Sequence, residues 1–289
     1  MGTGPVNGIN KKEVPWSDSL PSATLTKWKT INFNELSQKM RIVTWNCNGA
    51  FRRKLAEAES LQADILVVQE CEDPEHSSLA YRQWAGDYLW IGESKNKGIG
   101  VFPRNGNQVE KLNWSSKYTV QGFTSSSPAQ SWRTEDLRLF LPFIINQQIT
   151  VLAVWTKAST GSTFSYIGQF WKYLQLHRKE LSQPTTVIIG DFNSNVIWDR
   201  PDRWWNHSDV LSELDQIGMR SQYHHCYGED PGTETKPTFY MQRNLLKPYH
   251  IDYAFTSTDL TDRSTVYIAD SEYWLPVSDH VPVVLEIPD

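Results

Sequence analysis

Ser278-Asp279-His280-Val281-Pro282 sets a carboxylate and an imidazole side by side in a turn just ahead of an apolar run, Val283-Val284-Leu285. Three other polar clusters also abut strand-like runs: Trp45-Asn46-Cys47-Asn48-Gly49, Gln69-Glu70 and Gly190-Asp191-Phe192-Asn193. Strand-edge clusters rich in Asp, Glu, Asn and His suit metal-assisted cleavage of a phosphoester. That reaction needs a nucleophilic water, neutralisation of developing negative charge and help for the leaving oxygen. A hard cation such as Mg²⁺ takes oxygen ligands and polarises the phosphoryl oxygen.

Taken singly, each residue reads as a turn cap or a satisfied loop group; the set is what points to chemistry. Glu70 follows a largely apolar run, where a buried carboxylate is costly without a cation or a hydrogen-bond partner. Asn46 stands just beyond a β-branched run in a similar position. Asp191 and Asn193 flank Phe192 and face one side of an extended segment, where they can orient a water and grip a phosphate oxygen. Asp252 is a charge inside the apolar run His250-Ile251-Asp252-Tyr253, and His280 is its candidate partner. A carboxylate behind an imidazole fixes its tautomer and favours the protonated form.

The elements that must position these groups alternate from Arg41 onward. Arg41–Trp45, Asp64–Gln69, Gly98–Phe102, Leu137–Phe143, Ile149–Trp155, Thr186–Ile189, His250–Phe255 and Val281–Ile287 read as strands. Phe51–Gln62 and Phe164–Leu181 read as helices, with apolar residues at helical spacing. Many strands, few helices and polar clusters at strand ends predict a two-sheet α/β sandwich. Residues 1–39 are polar and punctuated by Pro and Ser, with a short helix expected over Asn34–Lys39. They read as a leader ahead of a catalytic domain over 40–289, and Met40 could itself be a start.

Bulk composition narrows the function. No run approaches the ~18 apolar residues of a membrane span, and Met1–Asn10 lacks a signal-peptide core. Cys47, Cys71 and Cys226 cannot all pair within the chain and show no metal-type spacing, so reduced thiols and a cytoplasmic location are expected. The net charge of −5 argues against a protein that coats nucleic acid by backbone charge. It leaves room for an enzyme whose carboxylates hold divalent ions. Arg52, Arg53, Lys54, Lys95, Lys97, Arg243 and Lys247 lie near the predicted loops, where they could track phosphates or form a solvated face. Trp198, Trp204 and Trp205 could stack on a base or cap the fold. His224-His225-Cys226 has no complementary ligand pair nearby.

The clusters W-N-C-N-G, Q-E, G-D-F-N, H-I-D-Y and S-D-H-x-P occur together and in this order. The sequence from Met40 to Ile287 thereby resembles the endonuclease/exonuclease/phosphatase superfamily of deoxyribonuclease I and exonuclease III type. The resemblance implies a four-layered α/β sandwich with two packed, mostly antiparallel sheets and a site at the sandwich edge. It implies Mg²⁺ or Mn²⁺ held by Glu70, with Asn46 and Asp279 around the same ion and Asn48 close by. It makes Asp191 the residue that positions or deprotonates water and Asn193 its phosphate-orienting partner. Asp252 and His280 become the dyad on the scissile phosphate.

One departure stands out. Where many members carry His or Tyr after the strand Val151–Val154, this chain reads Trp155-Thr156-Lys157. Indole donates a hydrogen bond but does not shuttle protons; Lys157 could supply a positive contact or be a plain surface lysine. The first expectation is a metal-dependent nuclease on DNA, and RNA as a further substrate, leaving 3′-hydroxyl and 5′-phosphate, with no membrane or obligatory protein partner. The alternative is a phosphatase or phosphodiesterase of a nucleotide, inositol phosphate or phospholipid headgroup. A degenerate binding module, which would bind metal without turnover, is the third.

Overall fold

Runs such as Ile42-Val43 and Val187-Ile188-Ile189 offer an apolar side chain to both faces of a strand, which requires cover on both sides. The computed structural model, which describes residues 1–2, 39–122, 130–159 and 164–288, supplies that cover. The chain divides into Met1–Leu36 and Ser37–Asp289, and all the described secondary structure belongs to the second unit. No described helix is long and apolar enough to cross a membrane.

The chain first lays down β1 (Lys39–Asn46), β2 (Ile65–Cys71), β3 (Leu89–Ser94) and β4 (Lys97–Pro103). It crosses to a second sheet with β5 (Val109–Lys111), makes a short ribbon of β6 (Lys117–Thr119) and β7 (Ser131–Arg133), and returns with β8 (Phe140–Ile145), β9 (Ile149–Trp155), β10 (Thr186–Asp191) and β11 (Met219–Ser221). A second ribbon, β12 (Phe239–Tyr240) and β13 (Pro248–Tyr249), precedes β14 (Asp252–Ser257). Finally β15 (Thr265–Ile268) and β16 (Val283–Pro288) rejoin the first sheet. The sheet orders are β15-β16-β1-β2-β4-β3 and β11-β14-β10-β9-β8-β5. Each is antiparallel apart from one parallel pair, β1–β2 and β9–β10 respectively. The mostly antiparallel sandwich expected from the sequence is what forms.

Period-two alternation sorts the side chains into layers. Ile42, Val67 and Leu285 of the first sheet meet Val151, Val187, Ile189 and Ala254 of the second in the central core. The other face of the first sheet, with Val43, Trp45 and Val68, packs on α1 (Leu55–Ser60) and α2 (Leu79–Ala85) through Ala58, Tyr81 and Ala85. The other face of the second sheet, with Leu152, Ile188 and Phe255, is covered by α3 (Ile167–Leu181) and α4 (His207–Gln216) through Phe170, Leu174, Val210 and Leu214. These are the four layers of the expected fold.

Several boundaries differ from the periodicity. Lys39 opens β1 rather than ending a helix, and residues 34–38 of that expected helix lie outside the described residues. The expected helix over 51–62 breaks at Lys54 (φ −125°, ψ 23°) into a 3₁₀ turn, Phe51–Arg53, and α1. β8 begins at Phe140 rather than Leu137, because Leu139 adopts φ +64°. β14 begins at Asp252 because Thr238 Oγ1 accepts both the Ile251 and Asp252 N–H groups at 3.0 Å.

Behind the second sheet lies a buried polar network. Asn195 Nδ2 donates to Glu234 Oε1 (3.1 Å), the His250 carbonyl (3.0 Å) and Tyr253 Oη (3.1 Å), tying three loops together. Glu234 also meets His224 Nε2 at 3.1 Å. Burial alone would raise its carboxyl, but the bonds from His224, Gly232 and Asn195 hold it at about 2. His207 is buried with both ring nitrogens unpartnered, and burial pushes its imidazole down to about 4. Burial lowers His250 as well.

These shifts fix how stability responds to acid. Between pH 6.5 and 4 the unfolded chain takes up a proton at His207 that the folded one refuses, so stability falls as pH drops through that window. Glu234 extends the loss from its ordinary range down through pH 2. Urea midpoints measured from pH 7 to pH 4 should therefore decline. His207→Phe, which removes two unpartnered buried nitrogens, should flatten the decline and recover up to about 3 kcal/mol at its acid end.

Candidate active site

The polar clusters converge because the inner faces of both sheets turn polar at one end. On β1, Thr44 and Asn46 continue the inward row begun by Ile42. On β2, Gln69 continues the row of Ile65 and Val67, and its carboxamide exchanges hydrogen bonds with Thr44 Oγ1 at 3.2 and 2.9 Å. On the opposing sheet the inward rows end in Trp155, Asp191 and Asp252, with Asp191 paired in register to both of the others. Asn46 Nδ2 donates to Asp191 Oδ2 at 2.9 Å and so closes the gap between the sheets.

Asp191 is fully buried. Besides Asn46, it accepts from the Asn193 backbone N–H (2.8 Å) and from Asn193 Nδ2 (2.8 Å). Gly190 makes this approach possible. Its φ is +149°, and a Cβ there would come within 1.9 Å of the Val154 carbonyl oxygen. Burial and the facing Asp252 carboxylate push the Asp191 carboxyl up to about 7, against the opposing pull of His280, Asn46 and Asn193.

Asp252 and His280 meet as the sequence predicted, with His280 Nδ1 at 2.9 Å from Asp252 Oδ2. Burial on its own would lower the imidazole; the Asp252 charge and hydrogen bond outweigh it and carry His280 up to about 9. With Nδ1 committed, Nε2 is the nitrogen left to face a substrate. The S-D-H turn is pinned to β1, since Ser278 Oγ donates to the Asn46 carbonyl (2.8 Å) and Trp45 Nε1 donates to the His280 carbonyl (3.2 Å). The ribbon pins it from the other side: Tyr240 N–H donates to the Asp279 carbonyl and Val281 N–H to the Thr238 carbonyl, both at 2.8 Å.

Glu70, Asn46 and Asp279 lie at the same end of three adjacent strands, β2, β1 and β16. A bulge between Gln69 and Cys71 lifts Glu70 out of the pleat at φ +63°. Asn46 Oδ1 accepts the Asn48 N–H at 3.0 Å, and Asn48 stands exposed at φ +54°. The donors are all oxygen, which fits Mg²⁺ or Mn²⁺. The Glu70 carboxylate already draws a cation, Lys97 Nζ, at 2.5 Å. Asp191, Asp252 and His280 also bring one ligand atom each within 4.8 Å of one another. Within this cluster the His280 imidazole already shares a hydrogen bond with Asp252.

The other residues named from sequence are placed as follows. Arg52 pairs with the buried Glu72. Lys157 pairs with Glu93 at 2.6 Å and lies 5.2 Å from the Trp155 ring. Trp155 is buried at the top of the inter-sheet core, beside a cavity of about 320 Å³ also lined by Arg138 and Lys157. Arg243 donates to the Pro276 and Val277 carbonyls, bracing the S-D-H turn. Asn193 spends both Nδ2 hydrogens inside the protein, on Asp191 and on the Thr156 carbonyl (2.9 Å). Sequence reasoning missed Thr238, whose hydroxyl accepts the Asp252 N–H and whose carbonyl accepts the N–H of Val281, the residue after His280. It also gave no role to Ser278, although that residue stands in the S-D-H motif itself.

The chain matches the model of the Endonuclease/Exonuclease/phosphatase family over residues 43–280. No curated protein sequence is significantly similar to it. Among solved structures it resembles the 3′ phosphatase NExo from Neisseria bound to a product DNA hairpin: TM-score 0.59, 21% identity, 86% of this chain and 100% of that one. It also resembles an AP endonuclease from Archaeoglobus fulgidus (TM-score 0.55, 17% identity, 85% and 98% covered) and truncated TDP2 from Caenorhabditis elegans (TM-score 0.55, 15% identity, 87% and 98% covered). At such identities these likenesses are of fold. The family match spans most of the chain and includes every strand-edge cluster built above, so the chain belongs to the Endonuclease/Exonuclease/phosphatase family, a family of phosphoric ester hydrolases.

Proposed function

We propose that the chain is a divalent-metal-dependent phosphodiesterase that hydrolyses nucleic acid, DNA before RNA, to leave a 3′-hydroxyl and a 5′-phosphate. The observation that carries this reading is the buried Asp191–Asp252–His280 cluster, bridged to the oxygen donors of the first sheet by Asn46. A substrate of DNA is supported by the fold relatives, one bound to a DNA hairpin and one an AP endonuclease.

Glu70, Asn46 and Asp279 would hold a divalent cation, which would supply Lewis-acid polarisation of the phosphoryl oxygen. The remaining work falls to side chains. Asp191 in its ionised form takes a proton from the attacking water as the new P–O bond forms and the bond to the 3′ oxygen breaks. The departing oxygen takes a proton from solvent to become the 3′-hydroxyl. Asn46 and Asn193 aim its carboxylate. His280, kept protonated by Asp252, donates from Nε2 to a phosphate oxygen and offsets the charge that builds there.

Supercoiled plasmid and a labelled single-stranded oligonucleotide, each with Mg²⁺, Mn²⁺ or EDTA, test this directly. Cutting should require metal, and Asp191→Asn or His280→Ala should lower kcat/KM by about 10²–10⁴-fold. Metal binding without cleavage of either substrate would remove DNA from the reading. Phosphate release from nucleotides or inositol phosphates would then put a small phosphoester in its place. In calorimetry, Glu70→Gln should weaken Mn²⁺ binding by at least about tenfold.

The pH dependence has a determined sign. Activity should rise as Asp191 loses its proton around pH 7 and fall as His280 loses its own around pH 9. Because Asp252 raises both groups, Asp252→Asn should move both limbs to lower pH. Without the carboxylate, burial acts unopposed by it, so NMR titration of the His280 imidazole should show a marked fall from about 9.

A further inference from the structure

The dyad is carried by two separate pieces of chain, and one buried residue is bonded to both. Asp252 opens β14, whose outer neighbour β11 pairs with it only at Phe255, Thr256 and Ser257. The start of β14 therefore lacks a strand on that side. Thr238, fully buried, takes the missing strand's part, since its Oγ1 accepts the N–H groups of Ile251 and Asp252, both at 3.0 Å. Its own N–H donates to the Tyr249 carbonyl at 2.9 Å, and its carbonyl accepts the Val281 N–H at 2.8 Å. Thr238 thus reaches the residue before Asp252, Asp252 itself and the residue after His280.

Thr238 is itself held on both flanks. Pro237 precedes it, which fixes one φ and keeps Lys236 extended. His250 Nδ1 donates to the Lys236 carbonyl at 2.7 Å, and the Tyr240 N–H donates to the Asp279 carbonyl at 2.8 Å. The segment 236–240 is thereby laced on one edge to the approach of β14 and on the other to the S-D-H turn. Valine has nearly the shape of threonine, so burial and shape alone do not call for a hydroxyl here. The two neighbouring N–H groups call for it. A hydroxyl oxygen has two lone pairs to offer them, and without it both would be buried with no acceptor.

We propose that Thr238 is a positioning residue of the reaction: it holds the strand that carries Asp252 and the turn that carries His280 in one frame, and so sets the contact between carboxylate and imidazole. The inference rests on the reading of Asp252 and His280 as the dyad of a phosphodiesterase. Fully buried, Thr238 acts through that dyad rather than on substrate. The contact it sets is 2.9 Å long, and a charge-assisted hydrogen bond weakens steeply once its geometry is lost. A shift of about 1 Å in a group that meets the substrate costs up to about 10²-fold in rate.

The test uses the full chain with Thr238→Val and Thr238→Ser. Thr238→Ala, which relieves the apolar contact with the two N–H groups, replaces Thr238→Val if that chain does not fold. The first readout needs neither substrate nor metal. A proton on His280 Nδ1 bonded to a buried carboxylate gives a far-downfield NMR resonance, assigned by its loss in His280→Ala. Thr238→Val should remove that resonance or move it upfield, and Thr238→Ser should keep it. With Mg²⁺ and the labelled oligonucleotide, Thr238→Val should lower kcat by about 10–10²-fold while KM changes by less than about threefold. Thr238→Ser should restore kcat to within about threefold of the parent. Leu174→Ala, a cavity in the outer core, should lower Tm and leave both the resonance and kcat as they are. A Thr238→Val chain that keeps the resonance and kcat overturns the inference, as does a loss that Thr238→Ser does not restore. A parent that cleaves no phosphoester, yet loses the resonance in Thr238→Val, keeps the frame and removes the phosphodiesterase reading.

Discussion

Two buried carboxylates, Asp191 and Asp252, face each other across an antiparallel ladder. Like charges directly opposite on neighbouring strands repel, and burial multiplies the cost. The local structure answers that constraint. His280 brings a positive charge to Asp252, and Asn46 and Asn193 bring three N–H groups to Asp191. The Asp191 carboxyl rises to about 7 to relieve the rest. The raised carboxyl of Asp191 and the raised imidazole of His280 are two consequences of the same crowding.

That compensation works only if the two sheets hold their spacing. Asn46 comes from one sheet and Asp191 from the other, so their hydrogen bond depends on the apolar layer of Val67, Ile189 and their neighbours beneath it. The S-D-H turn is fixed on both flanks, to β1 through Ser278 and Trp45 and to the ribbon through Thr238 and Tyr240. A site supported in this way keeps its geometry without substrate, the preorganisation that electrostatic catalysis requires.

The sequence made much of this legible for a physical reason. A carboxylate or carboxamide at the end of an apolar strand has few tolerable environments, so Asn46, Glu70, Asp191 and Asp252, unremarkable singly, stand out as a set. Period-two alternation likewise exposed the strands. The limits of that reading are equally physical. Nothing in Leu137-Arg138-Leu139 shows that Leu139 takes a positive φ and delays β8. Thr238 looks like any loop threonine until its hydroxyl is seen to accept two backbone N–H groups of another segment. The partners of Arg52, Lys157 and Arg243 lie on other loops or strands, so no local pattern could assign them.

Those cation partners bear on how an acidic chain could receive a polyanion. Lys97–Glu70 and Lys157–Glu93 are exposed pairs, and such pairs are worth only about 0–1 kcal/mol. Exchanging a carboxylate for a phosphate oxygen therefore costs each lysine little. Arg52 is different, because its partner Glu72 is buried beside the core and would be left uncompensated. Arg243, spent on two carbonyls of the S-D-H turn, would give up a brace of the catalytic loop. Of these four cations the two lysines are the ones whose partners could be exchanged at little cost, and both lie close to the strand ends that carry the site. Charge on the substrate would be met locally by groups released on its arrival, which reconciles a net charge of −5 with a phosphodiester substrate.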